Sequence, residues 1–140
     1  MRKSSNGGKF VGLDFDGTVF EHSDNYPEVG APIIEVIDKA KKLQKLGWKI
    51  ILYTCRSGED VDLAVKRAAD YGLNYDAIND NPWFVTGSRK PYFTIYVDDR
   101  APGSIKYFLN ELKKLFWRIT LKKLVEIYDR IILEGVYDPL

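Results

Sequence analysis

Short apolar runs alternate with amphipathic stretches along most of the chain. Lys9–Leu13 is a brief apolar run that stops at Asp14-Phe15-Asp16-Gly17, the pattern of a buried strand entering a turn. Residues 18–30 are irregular and polar, the candidate for a short flap. Pro32 suits a first helical turn, and Ile33, Ile37, Ala40 and Leu43 follow at helical spacing up to Gly47, a C-terminal stop. Trp48–Tyr53 is a second strand with Thr54 at its end. Ser57-Gly58-Glu59-Asp60 fits a capping box, opening a helix whose apolar face is Val61, Ala64, Val65, Ala68 and Ala69 and whose end is Gly72. Tyr75–Ile78 predicts a short third strand, residues 79–92 a loop, and Phe93–Val97 a fourth strand ending in Asp98-Asp99.

The remainder is helical in pattern. One stripe is Ile105, Phe108, Leu109, Leu112 and Phe116. A second is Leu121, Leu124, Val125, Tyr128, Ile131 and Ile132. The stripes fall out of phase near residues 117–120, which predicts two helices with Thr120 capping the second. Continuous apolar strands alternating with helices imply an α/β fold: a Rossmann-like three-layer sandwich with a mostly parallel central sheet. The expected organisation is a tail over 1–8 and one domain over 9–140, with a core at 10–103 and helices over 104–134. In such sheets ligands sit beyond the carboxyl ends of the strands, where the polar residues named below fall.

Composition narrows the setting. The 140 residues suit one domain, and 45% hydrophobic content is ordinary for a globular chain. With 21 basic and 20 acidic residues the net charge is +1, so no strongly basic footprint for nucleic acid exists, although a local patch is compatible with this balance. Cys55 is the only cysteine, which rules out an internal disulfide. No run approaches the roughly 20 apolar residues of a membrane span. The expectation is a cytoplasmic protein with no membrane partner.

The chemistry lies at the strand ends. Asp14 and Asp16 flank a turn in which Gly17 relaxes the backbone; one carboxylate can bind a metal and attack while the other handles protons. The same residues also make an ordinary polar turn. Thr54 offers a hydroxyl, Asp98-Asp99 a pair of like charges that a cation would relieve, and Lys90 a cation just before the fourth strand. Each alone has a structural reading; together they supply what phosphoryl transfer needs.

This set resembles the haloacid dehalogenase-like (HAD) phosphohydrolases. Asp14-Phe15-Asp16-Gly17-Thr18 matches the Asp-x-Asp-Gly-Thr motif, Thr54 the second-motif hydroxyl, Lys90 (or its neighbour Arg89) the third-motif cation, and Asp98-Asp99 the acidic fourth motif. The resemblance implies Asp14 as nucleophile and Asp16 as general acid and base. It implies Thr54 and Lys90 on the phosphoryl group, and Mg²⁺ held by Asp14, the Asp16 carbonyl, Asp98 and Asp99. Gly17, Thr18, Cys55 and Arg56 are the expected substrate-binding neighbours; Arg56 alternatively pairs with a carboxylate such as Asp80, and Cys55 alternatively packs at the strand end. Neither interval between motifs holds a cap domain, so the resemblance is to a small capless member.

The implied function is Mg²⁺-dependent hydrolysis of phosphate monoesters through an aspartyl-phosphate on Asp14. A nucleotide or nucleic-acid-end phosphatase is the alternative, nucleic acid entering only as substrate. A phosphorylation-switched receiver fits less well, since its threonine and lysine follow the acceptor aspartate in a different order; a non-catalytic binding module is a further rival. His22, the single histidine, lies in the flap. Trp83 and Phe84 either stack on a substrate ring or anchor their loop. Phe116, Trp117, Ile119, Tyr128 and Ile132 carry more apolar surface than one side of a small sheet readily buries, so the region after residue 103 either forms a homodimer or completes the core.

Overall fold

In a computed structural model of the chain, the structure describes residues 8–133, apart from the side chains of 111–113, 115–117 and 119. Residues 1–7 of the expected 1–8 tail, and the chain after 133, including the last position of the expected 104–134 helices, lie outside the described residues. Strands β1 (Phe10–Leu13), β2 (Lys49–Leu52), β3 (Ala77–Ile78) and β4 (Ile95–Val97) form one sheet, interleaved with helices α1 (Ile34–Lys45), α2 (Glu59–Asp70) and α3 (Ser104–Leu133). The order is β3-β2-β1-β4 and every pairing is parallel. β1 is therefore central, and the chain crosses back over it between β3 and β4. The α/β, Rossmann-like class read from the sequence is what the structure has.

Alternation sets the layers. Val11, Leu13, Ile50, Leu52 and Val97 point to one face, where they pack with residues of all three helices, including Val36, Ile37, Ala64, Ala68 and Phe108. Phe10 and Ile51 point to the other face and pack with Phe93. No helix contributes to that second cluster among the described residues. The third layer is instead the 79–94 segment, where Phe84 packs against Phe10 and Tyr92 at ring separations of 5.8 and 5.4 Å. Phe84 thus anchors the loop, whereas Trp83 is 87% exposed. Gly12 is required beneath this layer: a Cβ there would overlap the Phe93 ring.

Several local expectations are corrected. α1 starts at Ile34, after Ile33 as N-cap, because Pro32 is held in a bridge to Phe20. The Ser57–Asp60 capping box does not form. Gly58 is the N-cap of α2, with φ +56° and no side-chain cap, and the Asp60 carboxylate accepts instead from the Tyr26 hydroxyl at 2.8 Å. The two helices expected after residue 103 are one, and Thr120 lies inside it. Residues 104–133 contain no Pro and no Gly, so the change in stripe phase turns the apolar face without interrupting the backbone ladder. The flap is shorter than 18–30, since Thr18, Val19 and Phe20 are buried.

Candidate active site

The end of β1 is built to present Asp14. Its N–H donates to Val97 O at 2.9 Å, continuing the ladder to β4. The chain then closes tightly: Phe15 O accepts from the N–H groups of Thr18, Val19 and Phe20 at 3.2, 2.9 and 3.1 Å. Gly17 makes this possible at φ +82°, and a Cβ on it would run into His22 and the Asp99 carboxylate. The fully buried Thr18 hydroxyl donates to Asp14 Oδ2 and accepts from the Asp99 N–H, both at 3.0 Å. Thr18 therefore ties the first acidic loop to the second rather than facing a substrate.

Asp98 and Asp99 follow β4 directly. Ser104 secures them, accepting from the Asp98 N–H at 3.0 Å and donating to its carbonyl at 2.7 Å, while Asp98 Oδ1 accepts from the Arg100 N–H at 2.9 Å. Carboxylate oxygens of Asp14, Asp98 and Asp99 lie within 4.8 Å of one another. Burial raises the Asp14 pKa to about 6; hydrogen bonds from the Phe15 N–H and Thr18 oppose this, and the charges of Asp98 and Asp99 add to it. At Asp99 burial also pushes upward, but the His22 hydrogen bond at 2.8 Å and the contact with Asp98 outweigh it, so its pKa is lowered. The same bond raises that of His22. Three crowded carboxylates with hard oxygen donors fit a divalent cation such as Mg²⁺. A cavity of about 450 Å³ adjoins Asp98 and Asp99, bordered by Ala101, Gly103 and Lys106.

Asp16 and Arg56 form a second unit. The Arg56 Nε and Nη2 donate to the two Asp16 carboxylate oxygens at 2.7 Å each. The arginine side chain is 1% exposed and the aspartate 25%. Arg56 Nη1 also donates to Pro27 O at 2.8 Å, and the guanidinium lies over the Phe15 and Tyr26 rings at 5.1 and 5.0 Å. The bond to Asp16 is the main reason its pKa is raised further. Arg56 pairs, then, with Asp16 and not with Asp80, and it holds the flap at Pro27, whose peptide bond to Tyr26 is cis.

The remaining sequence candidates lie just after β2 and in the 79–94 segment. Thr54 follows β2, but its hydroxyl accepts from the Arg56 N–H at 3.1 Å. Its backbone is clamped at both ends by the Asn79 side chain, at 2.8 Å each. Cys55 is exposed, not packed. Lys90 and Arg89 sit in the 79–94 segment with exposed side chains. Lys90 is held by its backbone, its N–H donating to Ser88 Oγ at 3.2 Å, and neither cation is ion-paired with the acidic triad. Sequence reasoning did not find Asn79 or Tyr75. Asn79 has φ +48°, a conformation asparagine tolerates better than most residues. The Tyr75 hydroxyl is buried without a hydrogen-bond partner. Its ring packs against the main core; burial raises its pKa, and the Asp14 charge adds to the shift.

No family model and no curated protein matches the chain. Among solved structures it is similar to a conserved protein from Bacteroides thetaiotaomicron at 29% identity and a TM-score of 0.67, over 79% of this chain and 92% of that one. A target from Vibrio cholerae matches at 21% identity and a TM-score of 0.47, over 79% of this chain and 98% of that one. Neither description states an activity. Among the described residues no helix is long and apolar enough to cross a membrane.

Proposed function

We propose that this chain is a Mg²⁺-dependent phosphohydrolase of the HAD type that transfers the phosphoryl group of a monoester to Asp14 and then to water. The observation that carries the reading is the convergence of Asp14, Asp98 and Asp99 within 4.8 Å at the carboxyl ends of two adjacent strands. The Asp14-Phe15-Asp16-Gly17-Thr18 sequence at that point supports it. Asp14, Asp98 and Asp99 would hold Mg²⁺, which would supply charge neutralisation for the phosphoryl oxygens.

The chain's own residues supply the rest. An Asp14 carboxylate oxygen attacks phosphorus, and the bond from phosphorus to the ester oxygen breaks. The departing oxygen takes a proton from Asp16, leaving an aspartyl-phosphate and a free alcohol. Water then gives a proton to Asp16 and attacks the phosphorus, the bond to the Asp14 oxygen breaks, and inorganic phosphate leaves. Both Asp16 carboxylate oxygens accept from Arg56 in the structure, so Asp16 must turn out of that fork before it serves a substrate oxygen.

The deciding assay is a panel of phosphate esters with and without Mg²⁺, paired with intact-mass detection of a phosphorylated enzyme. Release of phosphate that stops with chelator, together with an adduct lost in Asp14→Asn, is expected. Full turnover in excess chelator sinks the metal, and an adduct that persists in Asp14→Asn sinks the nucleophile. The locked Asp16 favours one second reading, a binding domain without turnover. That reading wins if no ester is cleaved while Mg²⁺ still binds.

A further inference from the structure

The distal part of α3 carries a second apolar face that the body does not cover. Helix α3 runs from Ser104 to Leu133. Its first turns are anchored, with Phe108 fully buried and Ile105 and Leu109 packed against the same core. Farther along, Leu121 is 56% exposed, Leu124 57%, Val125 57% and Tyr128 64%. Ile127, Ile132 and Leu133 are exposed as well.

The pattern there is regular. With Leu121 and Tyr128 as heptad position a, Leu124 and Ile131 are d, and Val125 and Ile132 are e. Lys122, Lys123, Glu126, Asp129 and Arg130 all fall on b, c or f. The apolar face therefore carries no charge between residues 121 and 132. At 100° per residue it lies roughly 140° around the helix from the Ile105–Phe108–Leu109 stripe. A straight helix cannot turn both faces to the same body.

We infer that this face pairs with the same face of a second copy of the chain, related by a two-fold axis. A self-complementary stripe meets the requirement of a two-fold interface, in which one patch serves both partners. Area supports it. At roughly 60–120 Å² per apolar side chain, the stripe buries about 600 Å² per copy, near the lower bound of specific interfaces at about 1,200 Å² in total. Charge separates a second copy from a lipid surface. Faces that bind membranes are rich in lysine and arginine opposite the apolar stripe, whereas here Glu126 and Asp129 offset most of Lys122, Lys123 and Arg130. The partner approaches from the side away from the chain's own body, so the body does not block it.

The test is sedimentation equilibrium of the full chain beside Leu124→Glu and Tyr128→Glu. Both side chains are exposed, so the variants keep the fold, and circular dichroism checks this. The expected result is a dimer at high micromolar concentration whose dissociation constant rises at least tenfold in each variant. A full-length monomer at 200 µM overturns the inference. So does a dimer of unchanged affinity in both variants, which places the interface elsewhere. Vesicles of phosphatidylcholine and phosphatidylserine provide the remaining arm: a monomer that co-sediments with them, and loses this with Leu124→Glu, assigns the face to lipid and overturns the dimer.

Discussion

At neutral pH the Asp14 carboxylate is ionised against the opposition of burial and two neighbouring acids. Its pKa of about 6 lies above the ordinary 3.8, so the folded chain holds this proton more tightly than the unfolded chain does. The stability it contributes is complete below about pH 4 and is lost as pH rises through 6. Asp14→Asn should therefore stabilise the metal-free protein above pH 6 and change nothing near pH 4. A shift of this size is worth at most about 3 kcal/mol, and less after solvent screening. Urea titrations of both proteins at pH 4 and pH 7.5 in chelator check this, and equal midpoints at pH 7.5 would contradict it. On the proposed reading the same variant loses turnover by a factor on the order of 10⁴. Gly17→Ala is expected to be harsh for a different reason. It forces φ +82° on a residue with a Cβ and pushes apart His22 and Asp99. The variant should lose the 2.8 Å contact, which the His22 ring resonances would report by a lower titration midpoint. The first-motif residues were legible because their order in sequence is nearly their order in space. Arg56 was legible as a cation for a substrate or for a carboxylate such as Asp80. That its partner is Asp16 depends on how the flap folds back, which no local pattern encodes.

Among the elements, the flap and the aromatic layer depend most on single contacts. Arg56 fastens the flap to the end of β1 by meeting Asp16 and Pro27 together. Arg56→Ala leaves a partly buried carboxylate unpaired and should cost about 2–4 kcal/mol. Amide exchange over residues 24–28 should quicken at the same time; unchanged exchange there would show that Tyr26 and Asp60 hold the flap without the arginine. Gly12→Ala places a methyl group against Phe93 and should cost about 1–3 kcal/mol, read as a lower denaturant midpoint with an unchanged slope. Strands and helices were located from apolar runs because both faces of this sheet are covered. Their edges were misjudged where a side chain had a better partner elsewhere. Asp60 serves Tyr26 rather than its own helix, and Pro32 serves a bridge to Phe20. The third layer was the hardest to read, because aromatic residues in a loop carry no periodicity.

Across the whole molecule, order is spread unevenly. The start of α3 shares the main core, while its exposed distal turns have few buried apolar contacts. In dilute protein, amides of residues 121–133 should exchange orders of magnitude faster than those of residues 106–110; equal protection in both segments would show that the helix opens only with the whole domain. The sheet has a further consequence for how the protein comes into being. β1 is made first, yet its second neighbour, β4, arrives only after β2 and β3, and the bond between Thr18 and Asp99 joins residues 81 positions apart. A nascent chain still on the ribosome therefore has the Asp14 loop but no acidic partners for it until β4 has docked. Any cation that needs all three carboxylates binds only after β4 has docked beside β1. By mass action it pulls the folding equilibrium forward, by about 2.7 kcal/mol at a hundredfold excess over its dissociation constant, and so rewards the last step of assembly rather than the first.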